Sequence, residues 1–146
     1  MIQFILRNLT EPDEKFIYNS FLQTLKESYP FIYIPKSLYY NSQSEIIKFL
    51  LESQQVLIAC YPEDPEEIIG YVIYNYLSDT FILHYIYIKK MYRNKDYASN
   101  IINQIINNYK TIIVTNICDH YNTLKYKLPA KTVYDPYLIG RLRKLV

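Results

Sequence analysis

The sequence predicts a single α/β domain, and three observations support this prediction. The chain has 146 residues, half of them apolar, which is enough for one buried core. Residues 56–89 alternate strand-like runs with tight turns, as in an antiparallel meander. Residues 83–117 have the pattern of a strand, a basic loop, an amphipathic helix and a second apolar strand. That order is typical of a parallel strand pair beneath a helix.

The first part of the chain is predicted to form a strand and two helices. Residues 2–7 alternate loosely and are predicted as the first strand. Thr10, followed by Pro12 and Asp13, is a good helix start, and apolar residues recur on one face to about residue 28. Two prolines within residues 29–40 indicate a loop or an irregular aromatic arm. Ser44 is then predicted to cap the second helix.

The remaining elements follow from apolar patterns and turn residues. Strands are predicted at residues 56–60, 68–77 and 80–89, separated by a charged turn at 62–67 and a tight turn at Ser78 and Asp79. The helix after Asp96 has the clearest apolar stripe and is predicted to reach about Tyr109. A buried strand at 111–117, a short helix at 119–128 and an extended segment at 131–138 complete the order.

The basic loop between residues 89 and 96 is the most informative part of the sequence. A strand that runs through such a loop into a helix directs backbone N–H groups and the positive helix end at one place. That arrangement suits an anion such as a pyrophosphate. The net charge of the whole chain is only +2, so its composition gives no indication of a nucleic-acid partner.

The residues Arg93-Asn94-Lys95-Asp96-Tyr97-Ala98 resemble the R/Q-x-x-G-x-G/A loop of the GCN5-related N-acetyltransferases (GNAT). The preceding Tyr87-Ile88-Lys89, with Tyr92-Arg93, looks especially like small phage-encoded acetyltransferase-like proteins. The order of elements resembles the same superfamily over most of the chain.

The resemblance implies the acyl-CoA N-acyltransferase fold, a mixed and mostly antiparallel splayed sheet flanked by helices. Acetyl-CoA is then expected in a V-shaped cleft between the strands near residues 85–88 and 111–117. The implied cofactor-binding residues are Ile86, Ile88, Arg93, Asn94, Lys95, Asp96, Tyr97 and Ala98, with the backbone of the two isoleucines holding the pantetheine arm.

Asp96 stands where the family loop has its central glycine. Aspartate tolerates unusual backbone angles, but its charge would repel a pyrophosphate. Because aspartate is also a preferred N-cap, we predict that its carboxylate accepts a hydrogen bond from the backbone N–H of Ala98 or Ser99. The loop would then be filled by its own side chain before any ligand arrives.

The family often uses a tyrosine on the helix after the fifth strand as its general acid, which implies Tyr126, or else Tyr121. His84 is a candidate base. With 18 tyrosines in the chain, packing is the alternative role for each tyrosine, and a lone strand histidine is more often structural. Cys118 and His120 would suggest a metal or a Cys–His pair, but neighbours in sequence rarely point together, so no metal site is predicted.

Two functions from different classes remain open on the sequence. The first is acyl transfer from acetyl-CoA to a small-molecule or protein amine. The second is an inactive interaction or structural protein, such as a phage particle or assembly component, with protein partners or self-association. The aromatic arm would be a partner surface if exposed and a lid on the core if buried. No signal or membrane-spanning segment is apparent, so a cytoplasmic protein of a bacterial or phage-infected cell, or a virion protein, is expected.

Overall fold

A computed structural model describes residues 2–28, 30–117 and 121–145 of the chain. One sheet contains six strands in chain order, namely β1 (Ile5–Asn8), β2 (Gln55–Tyr61), β3 (Asp64–Leu77), β4 (Thr80–Ile88), β5 (Thr111–Val114) and β6 (Lys131–Tyr134). The first four strands pair antiparallel, whereas β5 is parallel to both β4 and β6. The predicted α/β fold with a mixed, mostly antiparallel sheet is confirmed.

Helices and short 3-10 turns connect these strands. The α-helices are α1 (Glu11–Lys26), α2 (Lys36–Ser53), α3 (Tyr97–Ile105), α4 (Tyr121–Leu124) and α5 (Leu138–Arg143). The 3-10 turns are Phe31–Tyr33, Lys90–Tyr92 and Lys125–Lys127. No helix within the described residues is both long and apolar enough to cross a membrane.

The start of α1 agrees with the sequence prediction and also ties the helix to the sheet. Thr10 is the N-cap, and its backbone N–H and its hydroxyl both donate to Asp13 Oδ2, at 2.8 and 2.7 Å. Arg7 of β1 donates to both carboxylate oxygens of Asp13, at 2.7 and 2.9 Å. The bidentate pair therefore holds the first helix turn against the first strand.

The α2 helix begins at Lys36, well before the predicted cap at Ser44, which lies inside the helix. Pro35 occupies the N-cap position, where its missing N–H costs no helical hydrogen bond. The prediction failed because the two prolines indicated an irregular arm up to residue 40, and because a glutamine interrupts the apolar pattern after it. In the structure that glutamine is buried and completes one helix face with three apolar residues, the full set being Tyr39, Gln43, Ile47 and Leu50.

The predicted aromatic arm is divided between the core and the surface. Tyr39 is buried and its ring makes an edge contact with Phe31, 5.5 Å between centroids. Ile32 and Tyr33, by contrast, are 55% and 79% exposed. Tyr29 lies outside the described residues. The sequence left open whether this arm is an exposed partner surface or a buried lid on the core. Ile32 and Tyr33 fit the first alternative, and Tyr39 fits the second.

Several other boundaries differ from the predictions. The strand β3 begins at Asp64, so it includes most of the predicted charged turn, and its pairing with β2 is irregular there. Such irregularity tolerates Pro65, which has no N–H to donate. The α3 helix ends at Ile105, before the predicted Tyr109, because Asn107 adopts a left-handed conformation with φ of 56°.

The remaining differences are strands and helices that are shorter than predicted. The first strand is Ile5–Asn8 instead of 2–7, and β5 ends at Val114 instead of residue 117. The helix predicted at 119–128 is one α-helical turn followed by a 3-10 turn, and Asp119 lies outside the described residues. The extended segment predicted to residue 138 ends at Tyr134, and α5 follows it.

Aromatic rings make up a large part of the core beneath the sheet. Phe21 of α1 stacks on Tyr85 of β4, with 4.1 Å between ring centroids. Both side chains are fully buried, as is Tyr71 of β3, whose hydroxyl lies 2.8 Å from Ser20 Oγ. These contacts position the α1 helix over the middle of β3 and β4, next to the place where the sheet opens.

Candidate functional site

The sheet opens between β4 and β5. Their pairing covers only residues 81–83 of β4 and 112–114 of β5, and it ends with the Thr115 N–H donating to the Leu83 carbonyl at 3.1 Å. Beyond this point β4 continues to Ile88 and is paired, within the described residues, with β3 alone. The two strands therefore form a fork, and the stretch with the predicted pantetheine contacts, Ile86 and Ile88, is one arm of it.

A β-bulge at His84 lies where the fork begins. Ile73 of β3 is opposite Tyr85, whereas the next residue, Tyr74, is opposite Leu83, so His84 is the extra residue of β4. A bulge bends the strand that contains it and increases its local twist. The bend accounts for the divergence of β4 from β5.

The imidazole of His84 is fully buried and both of its nitrogens are hydrogen-bonded. Nδ1 lies 3.0 Å from Thr115 Oγ1, and Nε2 lies 3.0 Å from Gln54 Oε1. The orientation of this network follows from Asn75, whose Oδ1 accepts the backbone N–H of Tyr76. Its Nδ2 must then donate to Gln54 Oε1, at 3.1 Å. An oxygen faces His84 Nε2 in consequence, so Nε2 carries the proton and Nδ1 is an acceptor that faces the Thr115 hydroxyl, which also donates to the His84 carbonyl at 3.2 Å.

Burial lowers the pKa of His84 to about 4, so the ring is neutral at physiological pH. The sequence nominates this residue as a base, and that role stays a prediction. The observed contacts favour a positioning role, because the ring joins β4 to Thr115 after β5 and to Gln54 at the end of α2. Asn116 Nδ2 adds a bond to the His84 carbonyl at 3.0 Å.

Two residues of the basic loop between β4 and α3 adopt the left-handed backbone conformation. Asn94 has φ of 63° and Asp96 has φ of 65°, in the region where glycine is the usual residue and asparagine and aspartate are the best-tolerated alternatives. Arg93 fixes the loop to the strand, because its Nε donates to the Ile88 carbonyl at 2.8 Å. Its guanidinium carbon lies 5.5 Å from the centroid of the Tyr87 ring.

The prediction that the Asp96 carboxylate caps α3 is wrong. Asp96 is the N-cap residue, but its side chain makes no capping hydrogen bond. A side-chain cap normally needs extended backbone angles at the N-cap, and the left-handed conformation directs this side chain elsewhere. Asp96 Oδ1 instead contacts Lys127 Nζ, at 2.5 Å, and its carbonyl accepts bonds from Ser99 Oγ and Asn100 Nδ2.

A cleft lies over this loop and the start of α3. It is lined by Ile88, Tyr92, Arg93, Asn94, Asp96, Tyr97, Ala98, Ser99, Thr123, Leu124 and Lys127. Six of the eight predicted cofactor-binding residues are in this set, whereas Lys95 and Ile86 are not. The contribution of α4 and of the 3-10 turn after it, through Thr123, Leu124 and Lys127, was not predicted. The only signal for it was a pair of lysines, Lys125 and Lys127, in the segment after the fifth strand.

The two candidate tyrosines, Tyr121 in α4 and Tyr126 in the 3-10 turn that follows it, do not line this cleft. Tyr126 is 82% exposed, and Lys125 Nζ lies 5.3 Å from its ring centroid. Tyr121 is buried, and its hydroxyl donates to Thr132 Oγ1 at 3.3 Å. Assignment of a general acid to either residue stays a prediction. Cys118 and His120, weighed as a metal or Cys–His pair, lie outside the described residues.

Comparison with known proteins identifies the family. The model of the acetyltransferase (GNAT) family matches residues 18–123, well over half of the chain. The chain belongs to the acetyltransferase (GNAT) family. The predicted family and fold are thereby confirmed, and the matched range includes the fork, the loop and α3. No curated protein matches the sequence significantly.

Solved structures agree on the fold. A possible acetyltransferase from Clostridium difficile 630 is similar, with a TM-score of 0.57 and 16% identity over 84% of this chain and 85% of that one. An acetyltransferase of the GNAT family from Staphylococcus aureus Mu50 has a TM-score of 0.54 and 15% identity over 85% of this chain and 79% of that one. At these identities the likeness concerns the fold alone.

Proposed function

We propose that this GNAT protein transfers the acetyl group of acetyl-CoA to an amine. One observation supports the proposal: β4, which diverges from β5 at the fork, runs directly into the basic loop at the open end of the fork. The loop offers the N-terminus of α3, which has no side-chain cap, and the positive charges of the basic segment. A CoA molecule whose pyrophosphate binds at this loop can extend its pantetheine arm toward His84. The arm would follow the edge of β4 that pairs with no other described strand.

The charge of Asp96 is offset within the structure. Asp96 and Lys127 both line the cleft and form an ion pair, so together they add no net charge to it. Asp96 itself adopts the left-handed backbone conformation that glycine takes most readily. The backbone conformation of Asp96 and its pairing with Lys127 both support the proposal that a pyrophosphate binds at this loop.

The reaction needs a neutral amine held against a thioester. The amine nitrogen attacks the thioester carbonyl carbon, the C–N bond forms and the C–S bond breaks. The proton that the amine loses is balanced by the one that the departing CoA thiolate gains. Most of the rate enhancement is expected from positioning of the two reactants, and Tyr126 or Tyr121 remains the proposed proton donor to the thiolate.

Calorimetry and a thiol-release assay test the proposal. Acetyl-CoA should bind to the wild-type protein, and an amine acceptor should release CoA thiol at a rate that depends on both substrates. Acetyl-pantetheine, which keeps the thioester arm and lacks the pyrophosphate, should bind more weakly. Absence of heat with the wild type, together with binding restored by Asp96→Gly, would show that the natural loop is inactive and that the carboxylate is the reason.

A second proposal is a non-catalytic interaction protein that retains the GNAT fold. The exposed Ile32 and Tyr33 of the 3-10 turn after α1 favour it, since apolar side chains this exposed suit contact with a partner. Light scattering of the native protein, with Tyr33→Ser as the matched variant, tests self-association through this segment. A monomer that binds acetyl-CoA and releases thiol would contradict this second proposal.

A further inference from the structure

The charges of this chain are separated between the two halves of its sheet. Residues 1–79, which include β1 to β3, have 5 basic and 11 acidic side chains and a net charge of −6. Residues 80–146, which include β4 to β6, have 11 basic and 3 acidic side chains and a net charge of +8. Because the strands are adjacent in chain order, the sheet has an acidic half and a basic half. The overall charge of +2 conceals this asymmetry, which indicates a polyanionic partner.

The proposed pyrophosphate site accounts for only part of the basic half. Four of the 11 cations belong to the loop after β4, namely Lys89, Lys90, Arg93 and Lys95. Six others belong to residues 121–145, namely Lys125, Lys127, Lys131, Arg141, Arg143 and Lys144. The 121–145 segment contains a single acidic residue, Asp135. Only Lys127 of the six lines the loop cleft, so the other five cations require a different explanation.

The 121–145 segment forms one connected surface along an open edge of the sheet. Its strand β6 pairs, within the described residues, with β5 alone. The Tyr121 hydroxyl donates to Thr132 Oγ1 at 3.3 Å and joins α4 to this strand. After the strand, Asp135 accepts hydrogen bonds from the Tyr137 N–H at 3.0 Å and from Arg141 at 2.5 Å, which join it to α5. The backbone that presents the cations is therefore held in place.

Exposed tyrosine rings are concentrated on the same segment. Five tyrosines are exposed among the described residues, and three of them belong to residues 121–145. The two most accessible of these three are Tyr126, at 82%, and Tyr137, at 77%. Lys125 Nζ lies 5.3 Å from the centroid of the Tyr126 ring. An accessible ring beside an ammonium can stack with a nucleic-acid base while the cation contacts the neighbouring phosphate.

Ion pairs within the protein use two of the six cations of this segment. Lys127 is paired with Asp96, and Arg141 is paired with Asp135. The remaining cations make no ion pair within the described residues, and they are Lys125, Lys131, Arg143 and Lys144. Four positive charges are thus available to an external polyanion.

The acidic half of the protein limits the basic surface on one side. Arg143 lines a cleft together with Ser28 of the α1 end and Ile46 of α2, whose neighbours in sequence are Glu27 and Glu45. The third acidic residue of the basic half, Asp119, lies outside the described residues. The two glutamates would repel a polyanion inside this cleft. The basic surface is therefore confined to the β6 edge and the basic end of α5.

We infer that the 121–145 segment binds single-stranded nucleic acid along this surface. The four available cations contact phosphates, and the rings of Tyr126 and Tyr137 stack with unpaired bases. An acidic peptide would satisfy the cations but would leave the two rings without a partner. The bases of a duplex are stacked on each other and do not reach such rings. This binding goes beyond the proposed acetyl transfer and does not depend on it.

Fluorescence anisotropy tests the inference in the absence of acetyl-CoA. The probes are labelled single strands of RNA and of DNA, about 20 nucleotides long, and the duplex formed by the same DNA. Both single strands should bind with a Kd of about 1–100 μM at low salt, and the difference between them shows which sugar is preferred. The logarithm of Kd should rise with the logarithm of the salt concentration with a slope of about 3, as four phosphate contacts require. The duplex should bind more weakly.

Matched variants on the two halves of the protein locate the site. Tyr126→Ser and Tyr137→Ser should each raise Kd at least about fivefold, because each removes a stacking ring. Tyr33→Ser, which removes a ring of similar exposure in the acidic half, should leave Kd unchanged. Lys131→Gln should lower the salt slope by about 0.7, whereas Lys48→Gln on α2 should not alter it. All five side chains are exposed, so the variants should fold normally.

Several outcomes would overturn the inference. One is the absence of binding by either single strand at about 100 μM protein and low salt. Displacement by polyglutamate as effective as that by unlabelled RNA would indicate an acidic protein partner instead. Displacement by free CoA would place the nucleic acid in the loop cleft, and equal effects of Tyr33→Ser and Tyr126→Ser would remove the stacking role. None of these results bears on the acetyl transfer, which is tested by the binding of acetyl-CoA.

Discussion

The Asp96 carboxylate and the Lys127 ammonium form an ion pair at the mouth of the loop cleft, with 2.5 Å between Oδ1 and Nζ. Both side chains are about half exposed, at 54% and 46%. An ion pair this exposed contributes little to stability. Its larger consequence concerns ligand binding. The Asp96 carboxylate alone would repel a phosphate, and the Lys127 ammonium offsets that repulsion.

Variants of this pair should change the affinity for acetyl-CoA in opposite directions. Asp96→Asn leaves a net positive cleft and should lower Kd, whereas Lys127→Met leaves a bare carboxylate and should raise it, each by about tenfold at low salt. The double variant should return close to the wild-type Kd. Calorimetry at two salt concentrations measures these effects.

Lys125→Met is the charge-matched control for that experiment, since Lys125 lies on the same segment but does not line the cleft. It should change Kd by much less than Lys127→Met. Equal effects from the two lysine variants would mean that only the overall charge matters and would contradict a specific role for the Asp96–Lys127 pair.

The Arg7–Asp13 pair should make stability depend on acidic pH. The hydrogen bonds from Arg7 lower the pKa of Asp13 from 3.8 to about 2. Because the folded-state pKa is the lower one, the stabilisation is present above pH 4 and is lost as the pH falls toward 2. We expect about 1–2 kcal/mol at neutral pH. Urea unfolding of wild type and Asp13→Asn should differ by this amount at pH 7 and converge near pH 2.

The His84 ring should make stability depend on pH in a higher range. Burial holds its folded-state pKa at about 4, against 6.5 in an unfolded chain. The unfolded state therefore takes up a proton first, and the free energy of unfolding should fall by about 3 kcal/mol as the pH drops from 6.5 to 4. His84→Gln should flatten this slope in urea unfolding series, preferably in a His120→Gln background that removes the other histidine. An unchanged slope would contradict the buried, neutral ring.

Gly70 should tolerate no side chain, because it faces β4 at the end of the fork. A Cβ there would lie 2.1 Å from the Tyr87 carbonyl oxygen and 2.9 Å from the Ile88 side chain. Gly70→Ala should therefore force β3 and β4 apart and cost more than about 2 kcal/mol. Acetyl-CoA binding should weaken with it, since Ile88 borders the loop cleft.

Gly140 of α5 is the matched control, since a Cβ there meets nothing within 4 Å. Gly140→Ala should be neutral or should stabilise by up to about 1 kcal/mol, because alanine favours a helix. Thermal unfolding compares the two variants directly. Equal losses at both positions would contradict the role assigned to the close approach of β3 and β4.

Local patterns were sufficient to predict much of this protein. The α1 start at Thr10 and the turn at Ser78 follow from residues within a few positions of each other, and both are confirmed. The loop after β4 could also be located, because a strand, a basic turn and an apolar helical stripe follow directly in the chain. The α2 start was missed because Gln43 has the chemistry of a surface residue and the burial of a core residue.

The sequence by itself determined the order of the elements through β6, the fold family and the position of the loop, since these depend on short-range periodicity and on a local motif. Only the tertiary structure decided the state of the site. Lys127 reaches Asp96 across 31 residues, and His84 meets Gln54 and Thr115 across 30 and 31. Contacts over such separations depend on how the strands and helices pack together. The sheet fork, and the left-handed backbone that turns Asp96 away from α3, arise from that packing.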